Sequence, residues 1–216
     1  MNVPKPKEIA FFGKITAATT HEMKNILAII KESSGLMEDL LLISQSSPSP
    51  YQEKFQKSLS VIKNQVKRGV NLTNRLNRFA HSPDKTTSTV ELFELSENLV
   101  MLSQRFATLK QVSLTIRQPN QAITIMTNPI QLQMALLASI DCCLKEMPPH
   151  GEISISFEKN GEQTAVHFTC KGDLPEGFNH NISSSNEWAA LQKITTDLSI
   201  IVKSDESTPG ILLILS

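Results

Sequence analysis

The chain has 216 residues, 40% of them hydrophobic, enough to bury one large core or two small ones. Basic and acidic residues balance at 21 each, so nothing in the charge points to nucleic acid as a partner. Apolar runs such as 26–30 and 211–215 fall far short of the ~20 residues of a membrane span, and Met1 to Lys14 holds no secretory-type apolar stretch. A cytoplasmic protein with no membrane partner is therefore expected. Cys142, Cys143 and Cys170 suit neither a disulfide framework nor spaced zinc ligands, and are expected as reduced, buried thiols.

From Glu8 to Ile43 no proline interrupts the chain. Ile15, Ile26, Ile29, Leu36, Leu40 and Ile43 recur at helical spacing, and Met23, Ile30, Met37 and Leu41 widen the stripe. A turn is expected over Ser44–Pro50. A second helix is expected over Tyr51–Ala80, with Phe55, Leu59, Ile62, Val66, Val70, Leu76 and Phe79 as its apolar positions. Two long helices joined by a short turn make an antiparallel hairpin. A lone hairpin leaves its stripe wet at ~25 cal/mol per Å², so pairing with a second copy into a four-helix bundle is expected.

His81 to Thr89 reads as a polar linker, dividing a hairpin at 1–83 from a second domain at 84–216. In that domain a helix is expected over Val90–Leu109, with strands over 112–116 and 122–126. Asn128-Pro129 then opens a helix reaching Met147, since proline suits a first turn. Strands follow over 152–157 and 164–170 with a turn at Asn160-Gly161, then a helix over 187–198 and strands over 200–203 and 211–215. The fold class is α+β, a helical hairpin followed by an α/β sandwich with helices on one face of a mostly antiparallel sheet.

On the first helix His21 points away from the Ile26, Ile30, Met37 and Leu41 stripe. Its wheel neighbours include Lys14, Ala17, Ala18, Lys24 and Ala28, small or polar residues that leave the ring open to a docking protein. A neutral imidazole is a good nucleophile near pH 7. Glu22 beside it is a candidate to hold the opposite ring N–H, and Asn25, one turn on, to steady a phosphoryl oxygen or orient a water.

The stretch Gly13 to Ile30, with His21-Glu22-Met23-Lys24-Asn25 followed by Leu27 to Ile30, resembles the phosphoacceptor helix of two-component sensor histidine kinases. Leu76 to Ala80 resembles the end of the second helix in such kinases. The resemblance implies that His21 carries the phosphoryl group, that Glu22 assists transfer, and that Asn25 assists dephosphorylation of the partner. The second half resembles their ATP-binding domain in its order of elements but departs in chemistry. Ala138 and Cys142 stand where the family has two asparagines, and neither supplies the oxygen that magnesium takes. The Asp-x-Gly-x-Gly motif is reduced to Cys170-Lys171-Gly172, and the lid stretch Asn181–Asn186 has no glycine.

A histidine-bearing hairpin beside a degenerate ATP-binding domain resembles the dimeric histidine phosphotransferases of phosphorelays. That implies a homodimer passing phosphoryl groups through His21 to or from a receiver-domain aspartate, with a sensor kinase as a further partner. No cofactor is then bound directly, and magnesium comes with the receiver. Three alternatives stay open: a non-catalytic pseudokinase scaffold, a response-regulator phosphatase using Asn25, and a divergent active kinase. Lys54, Lys57, Lys63, Lys67, Arg68, Arg75 and Arg78 on the second helix suit an acidic receiver surface.

Overall fold

The computed structural model describes residues 6–44, 51–84, 86–161, 163–204 and 208–215. Helix α1 (Pro6–Ser44) has 39 residues and α2 (Gln52–Ala80) has 29, and they lie against each other as a hairpin. At 1.5 Å per residue α1 is about 58 Å long. The turn expected over Ser44–Pro50 lies, apart from Ser44, outside the described residues. Ile15, Ala18, Ile26 and Leu40 are buried along α1, whereas Leu36, Leu41, Leu42 and Ile43 are exposed, as are Leu59, Val66 and Val70 on α2.

The expected linker contains regular structure. One turn of 3₁₀ helix spans Ser82–Asp84, and β1 (Ser88–Glu91) pairs antiparallel with β3 (Thr124–Thr127). The β1 register places Val90 opposite Ile125. Helix α3 (Leu92–Leu109) starts two residues later than the pattern predicts, because Glu91 caps it by accepting hydrogen bonds from the Phe93 and Glu94 amides. Helix α4 (Pro129–Glu146) starts as expected: Pro129 sits in its first turn and Asn128 accepts from the Ile130 and Gln131 amides.

The main sheet has the order β2 (Ser113–Ile116), β4 (Glu152–Asn160), β5 (Gln163–Lys171), β7 (Gly210–Leu215), β6 (Ile201–Lys203). Only the β2–β4 pair is parallel. Val166, Phe168 and Cys170 on β5 join Ile153, Ile155, Ile211, Leu213 and Leu215 on the buried face. Helix α4 packs against that sheet, and α5 (Phe178–Ser183) and α6 (Asn186–Thr196) pack on α4. The short α5 falls in a segment whose composition gives no helical signal.

The core does not stop at the expected 83/84 boundary. Phe11, Ile15 and Phe79 from the base of the hairpin belong to the same buried cluster as the sandwich. The Phe79 ring lies 5.3 Å from Phe11 and 4.8 Å from Phe12, centroid to centroid. Phe79 is 1% exposed, so Phe79→Ala should cost ~3–5 kcal/mol in urea unfolding, and one cooperative transition rather than two should shift.

Candidate functional site

His21 is exposed on α1, about one third of the way along the helix. Its Nδ1 is approached by two donors. The Arg105 guanidinium, from α3, lies 2.5 Å away, and the Asn25 amide nitrogen lies 3.4 Å away. Both groups donate, so Nδ1 accepts and the ring proton sits on Nε2. Asn25 is thus where the sequence places it, one helical turn on and on the same face.

Glu22 does not hold the imidazole. Its carboxylate accepts from the Arg68 guanidinium of α2 at 2.6 Å. Consecutive side chains diverge by ~100° around a helix, so a residue next to His21 faces a different neighbour. Lys14 is not free for docking either. It donates to both carboxylate oxygens of Asp141 on α4, at 2.6 and 2.7 Å, and its ammonium lies 4.7 Å from the centre of the Phe106 ring on α3. Ala18 is only 4% exposed, because α3 closes over that side of the hairpin. Ala17, Lys24 and Ala28 are exposed beside His21, as expected.

A cleft of about 500 Å³ opens between α1, α2 and α3 next to the ring. Ala18, Glu22, Asn25, Arg68, Arg75 and Arg105 are among its walls. Arg75 pairs with Glu97 at 3.4 Å, and its carbonyl accepts from the Asn98 amide at 3.2 Å.

Burial raises the Asp141 carboxyl above its ordinary value of 3.8, against the lowering pull of Lys14. The folded chain therefore holds this proton at a pH where the unfolded chain has released it. The stability contributed by Asp141 falls as pH rises from 3.8 through the raised folded value. Lys14→Met removes the lowering partner and should steepen that fall, whereas Asp141→Asn should abolish it. Urea midpoints at about pH 4 and about pH 7 read the difference.

No protein-family model matches the sequence, and no curated protein matches it. Solved structures do. A nucleotide-free catalytic domain of histidine kinase ThkA superposes with a TM-score of 0.51 at 13% identity, over 61% of this chain and 97% of that one. The sheet domain has a histidine kinase catalytic fold. Histidine kinase AdeS of Acinetobacter baumannii matches at 0.46 and 14% identity, over 91% of this chain and 97% of that one. A structure of ThkA in complex with the response regulator TrrA matches at 0.46 and 17% identity, over 96% of this chain and 62% of that one. Among the described residues no helix is long and apolar enough to cross a membrane.

In the sheet domain the positions set against the kinases' nucleotide motifs are packed. Cys142 is fully buried, Ala138 is half-buried, and Cys170 is buried on β5. Burial first, then the Asp141 charge, pushes the Cys142 thiol up to about 12, which keeps it an inert thiol. All three cysteines are free. Asn181–Asn186, the stretch set against the kinases' lid, holds the end of α5 and the first residue of α6, with Ile182 buried. Among the described residues no group of three or more His, Cys, Asp or Glu side chains is placed to hold a metal ion.

Sequence reasoning missed Arg105. It lies 84 residues from His21, in a helix whose apolar pattern only says that it packs somewhere. An isolated hairpin offers no reason to expect a cation from another element over the ring.

Proposed function

We propose that the chain is a phosphorelay histidine phosphotransferase, accepting a phosphoryl group on His21 from a receiver-domain aspartyl phosphate and passing it on. The observation that carries this reading is an exposed imidazole on a long hairpin, with the Asn25 amide one turn away on the same face. In the transfer a ring-nitrogen lone pair attacks phosphorus. The phosphorus–oxygen bond breaks, and the carboxylate of the receiver leaves with the electron pair. The transition state is loose, so alignment and charge neutralisation dominate, and the magnesium belongs to the receiver.

ATP is not the donor in this reading. Supporting that, buried Cys142 stands where those kinases have a magnesium-binding asparagine, and buried Cys170 where they have the aspartate that contacts adenine. Calorimetry with magnesium and ATP should give no tight binding heat. In this reading the chain pairs as a homodimer, supported by the apolar stripe left exposed on α2 at Leu59, Val66 and Val70. Of the basic residues on α2, Arg68 and Arg75 are committed to Glu22 and Glu97, which leaves Arg78 and the lysines to attract an acidic receiver. Association should slow as salt rises.

The deciding experiment is incubation with a ³²P-labelled phospho-receiver. Acid-labile label should appear on this chain and vanish entirely in His21→Ala. Partner binding without label in the parent protein would leave a scaffold. Release of free phosphate that needs Asn25 but not His21 would make it a phosphatase instead.

A further inference from the structure

A neutral imidazole has one lone pair to attack with, because its other nitrogen carries the proton. Here that lone pair is engaged. Arg105 donates to Nδ1 at 2.5 Å, and the Asn25 amide approaches the same atom at 3.4 Å. A guanidinium has no acceptor, so Nδ1 must supply the electrons and Nε2 must hold the proton. Nδ1 is then covered by Arg105, and Nε2 has no lone pair. Neither nitrogen can attack phosphorus in this arrangement.

We infer that Arg105 is a latch on His21: a positioning residue that holds the ring in its Nε2-protonated tautomer with the one free lone pair covered, and that α3 must surrender before phosphoryl transfer. The inference rests on the reading of His21 as the phosphoacceptor. Its electrostatics fit a contact made to be exchanged. Arg68 and Arg75 in the same cleft each have a carboxylate partner, Glu22 and Glu97. Arg105 has none among the described residues and spends its charge on a neutral ring. A guanidinium gains Coulomb attraction and a two-pronged fit from an anion that a neutral ring cannot supply, so an incoming acyl phosphate outcompetes the imidazole for it. The position of the latch is itself fixed. Phe106, the next residue, lies under Lys14, which is tied to Asp141. Once Arg105 leaves, the ring proton moves to Nδ1 and stays there while the Nε2 lone pair takes the phosphoryl group.

The test uses the full chain labelled with ¹⁵N-histidine. Long-range ¹H–¹⁵N spectra report the tautomer, and His21→Gln identifies the His21 signals. The parent protein should show the proton on Nε2. Arg105→Ala should show a mixture and should be phosphorylated on His21 by phosphoramidate about tenfold faster, the worth of one hydrogen bond from a charged donor. Arg105→Met, which keeps an apolar stem, stands in if the alanine variant fails to fold. An unchanged tautomer and rate in a folded variant, or slower labelling, overturns the latch. If these results come out as expected but a phospho-receiver labels neither protein, the latch stands and the relay reading falls.

Discussion

Replacing Gly210 by alanine should prevent the second domain from folding. Gly210 opens β7 with φ at +140°, a conformation L residues rarely adopt. A Cβ there would lie 1.8 Å from the Phe168 carbonyl oxygen and 2.9 Å from its carbon. These are backbone atoms of the central strand β5, which is held by β4 on one side and β7 on the other, so they cannot step aside. The Gly210 amide also donates to the Asn179 side chain at 2.9 Å, which fixes the strand entry. A clash at that distance together with a forbidden φ belongs with the rare substitutions that cost more than about 5 kcal/mol, the whole stability of a domain at the low end of the ordinary range. Gly13 in α1 is the control. A Cβ there meets nothing within 4 Å, so Gly13→Ala should raise stability by ~0.5–1 kcal/mol through helix propensity. Circular dichroism during urea titration should separate the two variants at once. A soluble Gly210→Ala protein with a native midpoint would contradict the β5–β7 register.

The regular elements were legible because each has its own local cause. Asn128-Pro129 announces α4, and alternation along 164–170 announces β5 with Val166, Phe168 and Cys170 inward. Strand β1 was not legible. Thr89 and Val90 sit in a polar stretch, and only pairing with β3, more than thirty residues on, makes them a strand. The site divides along the same line. His21 and Asn25 are neighbours on one helix face, so spacing alone joins them. The surroundings of Glu22, Lys14 and Ala18 lie beyond spacing, because the helical wheel says where a side chain points, not what packs there. Their fates are decided by Arg68, Asp141 and α3, all distant in sequence. Arg105 is the extreme case, since neither its residue type nor its surroundings mark it until α3 is laid across the hairpin.

The same limit applies to the outer face of the hairpin, where the second large effect is expected. Leu59, Val66 and Val70 are 43%, 50% and 54% exposed, and Phe55 and Ile62 lie half-buried on the same line of α2. Spacings of three and four make this a continuous seam rather than scattered surface residues. Monomeric proteins seldom leave such a stripe in water, and a two-fold partner would bury each position twice. At ~1.5–3 kcal/mol per buried aliphatic side chain, losing one from both copies removes ~3–6 kcal/mol, about a hundredfold to about twenty-thousandfold in the dissociation constant. Leu59→Glu with Val66→Glu adds facing carboxylates and should convert dimer to monomer at micromolar concentration, as read by analytical ultracentrifugation. The helices themselves should persist, because both positions face away from the Phe11–Phe12–Phe79 contact that fastens the hairpin to the sandwich. Phosphoryl acceptance should survive dissociation, since His21, Asn25 and Arg105 all belong to one chain. A parent protein that already sediments as a monomer would remove the four-helix bundle from this reading and leave the site on a single hairpin.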